Sequence, residues 1–273
     1  MDPGALRDAL TVVAGVGTGV LSAAFGVGGA VVSTPAIRLL GASAHVAIGT
    51  TLPSILPGAA SGTARYAREG LIDRRAIAWT TPAGLAASVG GSLLSEVVPG
   101  KGHWLMILTA ALLGFTAWRM ARPTDEPVLT AAESDVEMSP RSRSIPARRD
   151  TPLLLIAIGI GAGLLSGLLG VGGGIVMVPA FTELAGIPLK TAIASSLACV
   201  GLFAIPGTIT HALLGGIDWR IAVALSLGVI PGARLGAAVA IRTGDARLRR
   251  AVALFLGAIA VIYAAGEIAA LGR

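Results

Sequence analysis

The sequence predicts an all-α polytopic membrane protein made of two inverted-topology repeats, with short broken or re-entrant helices at Gly-rich turns. Composition is the first sign: 54% of the 273 residues are hydrophobic, 13% are charged and the mean hydropathy is +0.80. Soluble domains carry about 25% charged residues. The second sign is distribution. Between Val12 and Ala64 Arg38 alone is charged, and between Thr151 and Ile217 only Glu183 and Lys190 are. A bilayer dissolves such tracts once every amide is bonded inside a helix. A β-barrel would show short alternating segments, and these runs are long and uninterrupted. The third sign is that the second half of the chain repeats the first.

The elements follow in order. Met1 to Leu10 lacks the basic, cleavable signature of a secretory signal, so the first apolar segment, 9–25, is expected to remain in the mature chain. It ends at a Gly cluster. The second segment, 29–41, reaches only about 20 Å at the helical rise, short of the ~30 Å hydrocarbon core, so it breaks or re-enters. The third, 46–67, runs into an Arg-rich loop; the fourth, 76–96, and fifth, 103–121, complete the half. Segments 152–169, 173–186, 191–214, 219–241 and 248–270 repeat the series, the second again too short to span. Trp79, Trp104, Trp118 and Trp219 fall near segment ends, as interfacial anchors do. From Arg119 to Asp150, 12 of 32 residues are charged, the composition of a solvated linker. The expected organisation is a transmembrane repeat over 1–122, a charged cytoplasmic linker over 123–150 and a second transmembrane repeat over 151–273. Together they form one integrated transport domain.

The repeat is ordered, not merely compositional. Gly19-Val-Leu-Ser-Ala-Ala-Phe-Gly26-Val-Gly28-Gly29 matches Gly163-Leu-Leu-Ser-Gly-Leu-Leu-Gly170-Val-Gly172-Gly173 at an offset of 144. At an offset of 145, Ala47-Ile-Gly-Thr50-Thr51-Leu52 matches Ala192-Ile-Ala-Ser195-Ser196-Leu197, and Gly70-Leu-Ile-Asp73 matches Gly215-Gly-Ile-Asp218. Arginine placement sets the relative orientation. The loop after the third segment carries Arg65, Arg68, Arg74 and Arg75 in the first half but Arg220 alone in the second. The loop after the fourth carries Lys101 in the first half but Arg242, Arg247, Arg249 and Arg250 in the second. With the six arginines from Arg119 to Asp150 counted in, an odd number of crossings per half puts 14 basic residues on one side and 2 on the other, whereas an even number divides them 11 to 5. The inside-positive preference favours the odd count, hence inverted halves, a cytoplasmic linker and both termini outside.

Inverted repeats with interrupted helices place transport sites where the broken segments meet. The candidate breaks are Gly26, Gly28 and Gly29 in one half and Gly170, Gly172, Gly173 and Gly174 in the other. Each cluster precedes a short segment, so unpaired amides and the positive end of a helix dipole would face an anion. The competing reading is that these glycines only let helices pack closely. Thr50, Thr51, Ser195 and Ser196 are matched hydroxyl pairs able to donate to an oxyanion, or else to bond back to their own helices. Glu183, His211 and Arg234 are candidates for ion coupling or anion attraction, with snorkelling or an interfacial position as the alternative for each. Cys199 reads as a packing residue. Neither a metal-ligand motif nor a catalytic constellation is present in the sequence, so no metal, cofactor or catalytic residue is assigned, and the basic residues read as a topology signal, not a nucleic-acid surface.

The paired Gly-Val-Gly-Gly-(Gly/Ala)…Pro, the Ala-Ile-(Gly/Ala)-(Thr/Ser)-(Thr/Ser)-Leu and the Gly-x-Ile-Asp loops resemble the TauE/SafE sulfite exporter family of membrane transporters across both halves. Ala30 stands where the second half has Gly174, and the linker is long. The resemblance implies a multi-pass carrier in a prokaryotic inner membrane, exporting small anions such as sulfite, sulfoacetate or C2 sulfonates. A coupling proton or cation is possible. Two other classes compete: a passive anion channel, separable by counterflow, and an intramembrane enzyme, for which Ser166 has no evident base partner.

Overall fold

The computed structural model describes residues 3–39, 44–97, 103–121, 151–169, 172–213 and 215–271. Linker 123–150 and Gly170 lie outside them. All described elements are helical: α1 (Pro3–Phe25), α2 (Ala30–Leu39), α3 (Ala44–Arg68), α4 (Arg74–Val97), α5 (His103–Ala121), α6 (Pro152–Leu169), α7 (Gly174–Pro179), α8 (Leu189–Leu213), α9 (Trp219–Arg242) and α10 (Asp245–Leu271). A π-helical turn, Ala180–Leu184, continues α7. The short second segments of both halves are short helices here, of 10 and 6 residues. Pro35, Pro53, Pro57, Pro82, Pro206 and Pro231 all sit inside helices. Membrane helices tolerate this because neighbouring groups take up the freed carbonyls.

Among the described residues, Leu6–Phe25, Leu189–Leu213 and Trp219–Arg242 are long and apolar enough to cross a bilayer by length and composition. Large apolar side chains such as Leu153, Leu213, Leu227, Leu254 and Val261 point outward, the inverse of a soluble surface. Trp79, Trp118 and Trp219 are exposed near helix ends. This is an all-α, multi-pass membrane protein.

The halves exchange partners. The first helix of each half packs on the fourth of the other: α1 on α9, and α6 on α4. Small residues make both seams. Gly15 meets Leu225 and Gly228, Gly232 meets Val16, and Gly236 meets Val20, so α1 and α9 run in the same direction. Gly159 meets Thr80 and Gly163 meets Gly84, giving α6 and α4 the same sense. Without a hydrophobic drive between helices in lipid, such close backbone contact supplies the dispersion that holds them together. Equivalent helices of the two halves pack on each other in the opposite sense. Along α3 and α8, Gly207 faces Leu52, Gly201 faces Ala59 and Gly62 faces Leu197. Along α5 and α10, Gly114 faces Ala260 and Gly257 faces Ala117. Both pairs are antiparallel.

Candidate functional site

Chain reversal after α1 uses backbone that L side chains rarely adopt: φ is +68° at Gly26 and +87° at Gly28. In the second half φ is +87° at Gly172 and +57° at Gly173. Glycine alone enters this region at no steric cost. The two turns touch each other. A Cβ on Gly174 would overlap the Gly26 carbonyl and come within 2.9 Å of Val27 C, and one on Gly26 would come within 2.8 Å of Ile193 O. Close packing therefore accounts for Gly26 and Gly174.

The turns meet at mid-height. Ala30, the first residue of α2, is buried in a cluster with Ile55, Val200 and Ala204. Ile55 and Val200 are each the twelfth residue of a 25-residue helix. At this N-terminus Val32 and Ser33 N–H return to the Gly29 carbonyl at 3.1 and 2.9 Å. The amides of Gly29, Ala30 and Val31 are the orphan donors of the helix, and among the described residues they have no acceptor.

The four candidate hydroxyls are buried, and all four have partners. Asp218 N–H donates to Thr50 Oγ1 at 3.0 Å, and Asp73 N–H donates to Ser195 Oγ at 3.0 Å. These bonds are repeat equivalents of each other, each linking one half's third helix to the other half's Gly-x-Ile-Asp loop. Ser196 Oγ donates to the Gly26 carbonyl at 2.8 Å, tying α8 to the opposite Gly-rich turn. Thr51 Oγ1 lies 3.4 Å from Thr34 Oγ1 of α2.

The charged candidates lie elsewhere. Glu183, on the π-helical turn, pairs with Arg119 at the end of α5 and, at 3.7 Å, with Arg249 at the start of α10. Arg249 Nε also donates to Met120 O at 3.1 Å. Lys190 donates to Ile241 O at 2.9 Å and pairs with Asp245 at 3.5 Å. His211 sits in the last turn of α8, its Nδ1 3.0 Å from a Cβ built on Gly49. Arg234 is exposed on α9. None of the three is among the contacts around the N-terminus of α2.

Sequence reasoning missed two groups. Asp73 and Asp218 are helix caps: Asp73 Oδ1 accepts from Ala76 N, and Asp218 Oδ1 accepts from Arg220 N and Ile221 N. An Asp directly before an apolar periodic run was the available signal. The second group is Thr18, Ser33, Thr34 and Ser54, which crowd the first half's α1, α2 and α3. Ser33 and Ser54 bond back to their own backbones, to Gly29 O at 2.9 Å and Thr51 O at 2.7 Å. Thr18 Oγ1 is buried with no partner.

Comparisons with known proteins agree with this architecture. The family profile described as Sulfite exporter TauE/SafE matches residues 11–263. A probable membrane transporter protein, YunE of Bacillus subtilis, is 27% identical over 244 residues, covering 84% of this chain and 87% of its own length. A probable membrane transporter protein of Xylella fastidiosa is 27% identical over 240 residues, covering 86% and 87%. Another, MJ0441 of Methanocaldococcus jannaschii, is 30% identical over 122 residues, covering 41% and 45%. No solved structure matches the chain. With its multi-pass helical fold and a family match running through both halves, the chain is a membrane transporter and not an enzyme, and it belongs to the sulfite exporter TauE/SafE family.

Proposed function

We propose that the chain is a secondary transporter that exports small sulfur-containing anions, such as sulfite, sulfoacetate or C2 sulfonates, by alternating access. Its setting in this reading is a prokaryotic inner membrane. The repeats are residues 1–122 and 151–273 in opposite orientations, with 123–150 as a cytoplasmic linker. The antiparallel packing of α3 on α8 and α5 on α10 supports that inversion. The observation that carries the proposal is the meeting of two Gly-rich turns beside the mid-height N-terminus of α2, whose first amides have no acceptor among the described residues. Partial positive charge buried there attracts an anion without the desolvation cost of a full cation.

The anion site draws on Gly28 and Gly29 with Thr51, and on Gly172 and Gly173 across the junction. Gly26, Gly174, Thr50, Ser195 and Ser196 hold the two halves in register around it. Transport proceeds by movement of one half against the other. Glu183, joining the second half's short hairpin to α5 and α10, is positioned to couple that movement to a proton or to the ion pairs that hold one end shut. His211 and Arg234 act at the mouths, attracting anions. The test is flux of labelled sulfite and sulfoacetate into proteoliposomes by wild type, Gly28→Leu and Gly173→Leu. Saturable counterflow that both substitutions abolish, in protein that still elutes as folded, is the expected result. Unchanged flux in folded variants contradicts the site, and non-saturable flux contradicts a carrier.

A further inference from the structure

Positive charge is left unopposed at the turn that joins α9 to α10. From Arg242 to Arg250 the chain carries Arg242, Asp245, Arg247, Arg249 and Arg250. Two of the five are engaged by the fold. Asp245, the single acid of the stretch, pairs with Lys190 of α8, and Arg249 reaches Glu183 and Met120 O. Arg242, Arg247 and Arg250 are exposed and have no carboxylate partner among the described residues. Only Thr243 and Gly244 separate the two helices, so three free guanidinium groups surround one tight turn.

The arginines stand where the surface changes from polar to apolar. Arg247, Arg250, Leu254 and Val261 are spaced at i, i+3, i+7 and i+14 and share one face of α10. Leu254 is 75% exposed and Val261 67%. On α9, Leu235 lies two turns before Arg242 and is 57% exposed. From Arg250 to Val261 the helix rises about 16 Å, close to half of the ~30 Å hydrocarbon core. Each face therefore offers a cationic end and an apolar body of about one leaflet's depth. The helices leave the turn against different partners, α9 on α1 and α3, α10 on α5, and both faces stay uncovered.

Charge decides what covers them. A guanidinium donates in pairs to phosphate oxygens and keeps its charge at every physiological pH. A zwitterionic lipid brings an ammonium group along with its phosphate, so it gains less from three unopposed cations than an anionic lipid does. Position within the bundle matters as well. At the same end of the bundle Arg68, Arg74 and Arg75 are exposed too, but they share their loop with Glu69 and Asp73, which cancel part of the attraction.

We infer that the α9–α10 turn is a binding site for an anionic phospholipid. Arg242, Arg247 and Arg250 hold its phosphate, and its acyl chains lie along Leu235 on α9 and along Leu254 and Val261 on α10. The site is separate from the transport site and holds whichever anion the protein carries.

The experiment is native mass spectrometry of the full chain in detergent, titrated with dioleoylphosphatidylglycerol, cardiolipin or dioleoylphosphatidylcholine. The two anionic lipids should bind at least about tenfold more tightly than phosphatidylcholine. Arg242→Gln, Arg247→Gln and Arg250→Gln should each weaken phosphatidylglycerol binding about fivefold, the weight of one basic residue at an anionic surface. The same change at Arg68, Arg74 or Arg75 should leave it within about twofold. Single substitutions are read only in protein that elutes as wild type, and three independent positions keep the test open if one of them misfolds. Inorganic phosphate should compete no better than chloride at equal ionic strength, since it has no acyl chain to pack on Leu254. Equal binding of phosphatidylcholine, equal losses from the Arg68, Arg74 and Arg75 variants, or displacement by inorganic phosphate beyond that by chloride would overturn the lipid site. None of these results bears on anion flux, so the transport reading stands or falls separately.

Discussion

The reciprocal bonds between the halves make a quantitative prediction. Thr50→Val keeps the shape of a fully buried side chain but removes the acceptor of the Asp218 amide, 3.0 Å away. An orphaned amide costs about 1–3 kcal/mol. Because side-chain bonds inside membrane proteins average nearer 0.6 kcal/mol and the Asp218 loop is only half-buried, the lower end applies, about 1 kcal/mol. Ser195→Ala removes the acceptor of the Asp73 amide and should cost the same. The two bonds lie near opposite ends of the antiparallel α3–α8 pair, about 20 Å apart along the bundle, so the losses should add to about 2 kcal/mol within ~0.5 kcal/mol. Thr50→Ser, which keeps the oxygen, should lose less than about 0.5 kcal/mol. Reversible unfolding in mixed detergent reads all four variants. If Thr50→Val matches Thr50→Ser, or if the double variant departs from additivity by more than about 1 kcal/mol, the two loops are not independently capped across the repeats.

Further expectations concern single contacts. Tyr66→Phe removes the bond from its buried hydroxyl to Ala23 O at 2.8 Å and should lower stability by about 1 kcal/mol, seen as a lower melting temperature in detergent. Gly174→Val drives a side chain into the Gly26–Val27 backbone and should abolish monodisperse protein on size exclusion. Gly90→Val, with nothing within 4 Å, should not. Glu183→Gln removes two partly exposed ion pairs and should cost under about 1 kcal/mol, with the difference from wild type shrinking in high salt.

Much of the fold was legible because lipid imposes a simple rule: long uncharged runs become helices, and runs too short to span must break. Segment 103–121 and helix α5 coincide, and helix α2, Ala30–Leu39, falls inside segment 29–41. The Gly-rich turns were legible through their repetition, and their positive φ values explain why Gly recurs there. The roles of the hydroxyls were not. Thr50 and Asp218 are 168 residues apart, Ser196 and Gly26 are 170 apart, and no local pattern announces such a partner. Sequence periodicity likewise separates Glu183 from Arg119 and Arg249, which only the packing of α5 and α10 against the second half's short hairpin brings together.

The opposite orientation of the two halves is tested most directly by single-cysteine labelling with a membrane-impermeant thiol reagent, in a Cys199→Ala background. Arg68 and Leu213 are equivalent, exposed residues at the ends of α3 and α8. Arg68→Cys and Leu213→Cys should label from opposite sides of oriented membrane vesicles; labelling of both from the same side would contradict inverted repeats and the shared mid-membrane site built on them.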